Sequence, residues 1–314
     1  MLARLQQAVT LGLIALALAW AAYFYRAGSP VWAVAGALLI VFGYALFLAI
    51  EFVLLWFVNR GDPTPNATAW QLVKAWWGEV RTAPQVFCWR QPFRADAEPD
   101  FLPPGAQRRG VVLVHGFVCN RALWNPLMAR LRALGIPFVA VNLEPVFGSI
   151  DRYAQVIEAA VRRVESATGQ APIVVAHSMG GLATRAWLGA YQADARVHRV
   201  ITIGTPHRGT YLGRFGLTHN TRQMRPSSAW QEALAAAEPP QRFQRFTCFY
   251  GHCDNIVFPA STATLPQADN KHIAGVAHVH MAHHDEVVNE VLRWVATADS
   301  TSDARREPGA TPAR

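Results

Sequence analysis

Charge is scarce in this chain of 314 residues, where Asp, Glu, Lys and Arg together make up only 16%. Lysine is almost missing: Lys74 and Lys271 are the only two among 29 basic residues. Cysteine is sparse too, and Cys88, Cys119, Cys248 and Cys253 form no CxxC pair, which excludes a disulfide-built scaffold. No internal repeat occurs. What abounds is apolar surface, at 52% of residues, so a chain disordered throughout is excluded. The net charge is +8, but the arginines are scattered and form no stripe. Such charge suits an anionic membrane surface better than a nucleic acid.

The excess hydrophobicity lies in the first 60 residues. Ala8 to Tyr25 and Ala27 to Ile50 are uncharged runs of 18 and 24 residues, each long enough to cross a bilayer as a helix. Trp20, Tyr23 and Tyr25 suit an interfacial belt, and Arg26, Gly28 and Pro30 read as a tight turn. The expectation is a transmembrane hairpin over 1–60. Arg4, Arg60, Lys74 and Arg81 then place both chain ends in the cytoplasm. A rival reading cleaves the first run as a signal at Ala19-Trp20-Ala21. Glu51 follows the second run, and is expected near the interface or against the partner helix.

Residues 61–109 read as a linker, an amphipathic helix and an edge strand. Trp70, Val73, Trp77 and Val80 share one helical face, which suits either the lipid headgroups or the protein's own domain. Gln85 to Trp89 reads as the edge strand, Asp96 to Gly105 as a loop, and 300–314 as a disordered tail. Between them, short apolar runs alternate with helical patterns. VVLVHG (111–116), FVAVNL (138–143), PIVVAHS (172–178), VITIGTP (200–206) and FTCFYG (246–251) are the expected strands. Helices are expected over Trp124 to Leu134, over Ile150 to Ala167 and from Gly180 on. This alternation predicts an α/β fold with a mostly parallel sheet covered on both faces, over 110–299.

One strand ends in PIVVAHSMGG, the small-x-Ser-x-Gly pattern of a nucleophile elbow. The turn at Ser178 is so tight that its neighbours at ±2 must be small, and they are Ala176 and Gly180. The helix behind the serine points its positive end at developing negative charge. His115-Gly116 closes an earlier strand, in the position whose following loop supplies one oxyanion amide. The backbone N–H groups of Phe117 and Met179 are therefore the candidate oxyanion hole. The alternative for His115-Gly116 is an ordinary strand-to-loop turn, but the elbow in the right order downstream favours the oxyanion reading.

Five segments in order, VLVHGF, VVAHSMGG, TIGTPHRGT, CDNIVFP and GVAHVHM, resemble a bacterial lipase or esterase of the α/β-hydrolase superfamily. The likeness runs from Val111 to Val295. It implies ester hydrolysis by a serine, an aspartate and a histidine in that chain order. Ser178 matches the nucleophile, Asp254 in GHCDNIVFP the acid, and His278 in GVAH the base. Asp269 is the rival acid. His280, His283 and His284 rival His278, which the family segment selects although Ala277 stands where a glycine is usual. The same histidines with Asp285 could form a metal site, but they run into a surface helix, so none is expected. His177, His207 and Cys253 are read as structural.

The expected protein is a membrane-anchored serine hydrolase of carboxylic esters, lipid acyl esters foremost, needing no cofactor. Only about 33 residues separate Gly209 from Phe243, so any cap is small and small esters fit as well. The alternatives are an acyltransferase or thioesterase with the same three residues, or a non-catalytic membrane-bound binding module. The expected location is the bacterial inner membrane, as a multi-pass protein.

Overall fold

The computed structural model describes residues 1–297. The expected tail, 300–314, and residues 298–299 of the expected catalytic domain lie outside the described residues. Six strands form one sheet: β1 (Val111–Val114), β2 (Phe138–Ala140), β3 (Ile173–His177), β4 (Arg199–Ile203), β5 (Phe246–Tyr250) and β6 (Asp269–His272). All pairs are parallel, in the order β2-β1-β3-β4-β5-β6.

Strands β1 to β4 are buried along their whole length, which is why they read as largely apolar runs, broken only by His177 in β3 and by Arg199 and Thr202 in β4. Alternate side chains serve two cores. Val112, Val174 and Val200 pack with Ile157 and Val161 of α6 (Tyr153–Thr168) and Leu182 and Trp187 of α7 (Met179–Ala190). Leu113, Val175 and Ile201 face the other way. They pack with Leu127 and Leu131 of α5 (Asn125–Ala133) and Val287 and Val291 of α11 (Asp285–Ala296). Strand β6 was not expected. Its sequence, DNKH, is polar and partly exposed because it sits on the sheet edge, paired to β5 alone.

Ahead of the sheet, α1 (Leu2–Arg26) and α2 (Pro30–Val58) pack as a hairpin of two long apolar helices. Pro30 opens α2, where its missing N–H costs nothing. The Trp20 indole donates to the Trp32 carbonyl at 2.8 Å. Helix α3 (Ala69–Pro84) starts at a capping box between Thr68 and Gln71. Its aromatic stripe divides: Trp70, Val73 and Trp77 are exposed, whereas Val80 is buried with Ala75 and Glu79.

The edge strand expected over Gln85 to Trp89 is instead a wide helical turn, Gln85–Arg90, which carries α3 into the single turn α4 (Gln91–Phe93). Pro84 has no N–H to give the carbonyl of Val80. The Tyr44 hydroxyl donates to that carbonyl at 2.8 Å, so the helix continues past the proline. After β4 the chain forms two short helices, α8 (His219–Gln223) and α9 (Ala229–Ala237), before β5. The one-turn helix α10 (His278–Met281) precedes α11.

Candidate active site

Ser178 is the hinge between β3 and α7. Its φ of +55° and ψ of −129° lie outside the regions that L-residues favour. Such strain, held by the surrounding fold, is the signature of an elbow that lifts a side chain off the sheet. The backbone N–H of Ser178 donates to Ile203 at the end of β4, at 2.8 Å.

Asp254 lies just beyond β5 and His278 opens α10. The His278 Nδ1–H donates to Asp254 Oδ2 at 2.9 Å, and both residues are buried. The other Asp254 oxygen accepts from the amides of Ile256 and Val257, at 3.0 and 2.8 Å. With Nδ1 protonated against the carboxylate, His278 Nε2 is left free to accept a proton. Gly204, at the end of β4, sits directly under the pair. A methyl group there would lie 2.7 Å from Asp254 Oδ2 and 3.0 Å from His278 Nδ1. The serine thus follows β3, the acid β5 and the imidazole β6, while β4, between the first two, contributes Gly204.

Burial disfavours a charged imidazole, but the Asp254 carboxylate, helped by Glu79, outweighs it and raises the His278 pKa. A base must be neutral to take a proton, so with His278 as the candidate base activity should fall as pH drops through this raised value. The acid limb of kcat/KM should therefore have its midpoint above about 6.5, the ordinary histidine value. A limb centred well below that in a stopped-time ester assay would contradict this electrostatic picture.

On the other side of Ser178, His115 fixes the loop after β1. Its Nδ1–H donates to the Gly116 carbonyl at 2.9 Å, and its Nε2 accepts from the Leu143 amide at 3.0 Å. Burial holds this imidazole neutral, with its pKa pushed down to about 4. Tying the Gly116 carbonyl turns the Phe117 N–H to the opposite side of the same peptide plane. Among the described residues, neither the Phe117 nor the Met179 N–H has a hydrogen-bond partner. Gly116 itself approaches Ser178 so closely that an added methyl would lie 2.7 Å from its Cβ.

Residues 111–278 match the α/β hydrolase family. The chain belongs to that family. No curated protein matches it. Among solved structures, this α/β hydrolase is similar to the lipase BlEst2 of Bacillus licheniformis. The mature form has a TM-score of 0.54 and 17% identity, over 63% of this chain and 96% of that one. The propeptide form gives 0.54 and 18%, over 68% of this chain and 55% of that one. Aspergillus fumigatus lipase B gives 0.48 and 17%, over 58% and 51%. At these identities the likeness to lipases is distant and extends to the fold.

The rival residues of the hydrolase lie elsewhere. Asp269 is in β6, within 3.6 Å of Lys271 and 3.8 Å of Arg199. The His280 ring packs against Gly78, and His283 contacts Arg90 at 3.3 Å. His207 is buried against Thr202 at 3.0 Å, and its carbonyl accepts from Arg185 at 2.8 Å. Cys253 is buried, and burial pushes its thiol up to about 12, far from a reactive thiolate. His177 is closer to events: its ring is 4.5 Å from that of His278, and its Nε2–H donates to the His278 carbonyl at 3.1 Å.

Sequence reasoning missed three residues here. Glu51 of α2 is buried against the hydrolase domain, where its Oε2 accepts from the Asn255 amide at 2.6 Å. Asn255 Oδ1 in turn accepts from the His278 N–H at 3.2 Å. Glu79 of α3 accepts from the amides of Val279 and His280, at 3.0 and 3.1 Å. Burial pushes the Glu79 carboxyl up to about 7, against the lowering by those amides and by His278. The one available signal was the isolation of Glu51 in an apolar run.

Proposed function

We propose that the protein is a membrane-anchored serine hydrolase that cleaves carboxylic esters, lipid acyl esters in particular. The observation that carries this reading is the buried Asp254–His278 hydrogen bond, together with a serine held at φ +55° next in the chain to His177, whose ring lies 4.5 Å from that of His278. Ser178 Oγ attacks the acyl carbonyl carbon while His278 Nε2 takes its proton. The Phe117 and Met179 amides hold the resulting oxyanion. The tetrahedral adduct collapses, the ester C–O bond breaks, and His278 returns its proton to the departing alkoxide. Water then attacks the acyl-enzyme, again giving a proton to His278, and releases the carboxylic acid and Ser178.

Support for the bilayer comes from the hairpin's surface. Only 6% and 17% of the most apolar stretches of α1 and α2 are buried, unlike a core helix of a water-soluble protein. An apolar groove of about 450 Å³ between α2 and α3, lined by Phe52, Val53, Trp56 and Leu72, offers further lodging for acyl chains. Both feet of the hairpin rest on the hydrolase domain. From α1, Gln6 donates to the Val118 carbonyl at 3.4 Å as well as to Gln91 ahead of the domain, and just beyond α2 Asn59 donates to the His252 carbonyl. That favours an intact hairpin over a cleaved signal, with the domain on the side of the N-terminus. Exposed Phe215 and Leu217, in the segment after β4, add apolar surface to the small cap.

The test is reaction with a fluorophosphonate probe, alongside hydrolysis of p-nitrophenyl esters from C2 to C16. The expected result is one label, on the Ser178 peptide, with a preference for longer chains. Folded protein that neither labels nor turns over any ester would leave a binding module as the better account.

A further inference from the structure

Helix α10 begins with the candidate base and lacks a cap of its own. Ala277 stands at the N-cap and offers no side-chain acceptor. The first intrahelical bond is that from the Met281 N–H to the Ala277 carbonyl, so the amides of residues 278, 279 and 280 need outside partners. All three partners lie beyond the helix. Asn255 takes the first, and the two oxygens of Glu79 take the second and third. Asn255 is itself held by Glu51, which reaches it from α2.

The same foot of the hairpin grips the loop that carries Asp254. Asn59 donates to the His252 carbonyl and accepts from the Ala260 amide, at 3.3 and 3.2 Å. Asp62 accepts from the amide of Ser261 at 3.0 Å. Between these polar contacts lies a separate apolar cluster. Phe52 and Leu55 of α2 and Ala75 of α3 pack there with Cys253, Phe258 and Ala277, two of which adjoin Asp254 and His278 in the chain.

We infer that Glu79, and Glu51 acting through Asn255, are positioning residues for His278, so that the N-terminal helices complete the active site as well as anchor it. The inference rests on the hydrolase reading above. Neither carboxylate bonds the imidazole itself: Glu79 takes backbone amides and Glu51 takes Asn255. Each fixes the backbone from which the imidazole projects, while His177 holds the carbonyl of the same residue from the opposite side. A proton transfer requires Nε2 within hydrogen-bond reach of the serine oxygen, and a misplacement of about 1 Å costs on the order of 100-fold in rate.

The experiment compares four variants of the full chain in detergent: Glu79→Ala, Glu79→Gln, Glu51→Leu and Glu51→Gln. Each is titrated with fluorophosphonate, so that kcat is expressed per reactive serine. Glu79→Ala should lose about 100-fold in kcat with KM nearly unchanged, and its labelling should slow in parallel. Glu79→Gln regains one acceptor and should recover part of the loss. Glu51→Gln still accepts from Asn255 and should stay close to wild type, whereas Glu51→Leu should not. If Glu79→Ala fails to fold, the contrast between Leu and Gln at position 51 decides.

Wild-type kcat per labelled site in Glu79→Ala or Glu51→Leu would overturn the proposal. So would a loss of activity in Glu51→Leu accounted for wholly by loss of folded protein. A wild-type protein inert on every ester and unlabelled at Ser178 would remove the hydrolase reading, and this proposal with it.

Discussion

Replacing Ser178 with alanine should lower turnover of the best p-nitrophenyl ester by roughly 10⁶-fold. The alanine methyl cannot attack, and His278 then has no proton to take. What remains is water reacting at a carbonyl polarised by the Phe117 and Met179 amides, typically about 10³-fold or more above the uncatalysed rate. Alanine adds no bulk and is no worse a fit at φ +55° than serine, so the thermal midpoint should move little. The two measurements belong together: initial rates on purified protein, and unfolding followed on the same sample. A variant that keeps a tenth of wild-type turnover would show that the chemistry runs elsewhere.

The second large effect is expected from Asp254→Asn, at about 10⁴-fold in kcat. The structure gives the reason in terms of donors and acceptors. One carboxylate oxygen accepts from two backbone amides and the other from the His278 Nδ1–H, so the site needs acceptors on both sides. A carboxamide supplies only one. Turned towards the backbone, its NH₂ opposes two N–H groups. Turned towards the imidazole, it forces the proton onto Nε2, where the nucleophile's own proton must go. Either way the base is lost while the shape is kept. Raising the pH should restore nothing, because the fault is a tautomer rather than a titration. Near-wild-type activity in this variant would eliminate Asp254 as the acid.

Much of this arrangement was legible in the sequence, for identifiable reasons. Strands β1 to β5 are covered on both faces, so burial wrote them as apolar runs that any reader of periodicity would mark. The elbow was legible because sterics restrict its neighbours to Ala176 and Gly180. Strand β6 was not, since an edge strand needs only backbone pairing and DNKH carries no hydrophobic signature. The stretch from Gln85 to Trp89 failed for a different cause. Its helix survives Pro84 through the Tyr44 hydroxyl, a partner 36 residues from the carbonyl it serves. The roles of Glu51 and Glu79 were hidden in the same way. Each acts on a residue about two hundred positions away, and no local pattern encodes so distant a hydrogen bond.

That distance bears on the order of assembly. The bonds from Glu79 to Val279 and from Glu51 to Asn255 span 200 and 204 residues. Contacts so remote in sequence are late events in folding, because the intervening chain must be placed first. During synthesis residues 278 to 280 follow Glu79 by about two hundred residues. A nascent molecule can therefore form its helical hairpin and most of its sheet with the helix turn at residues 278 to 281 still unmade. The contacts that fix the turn at His278 are thus among the last that the growing chain can make between its N-terminal helices and its sheet domain.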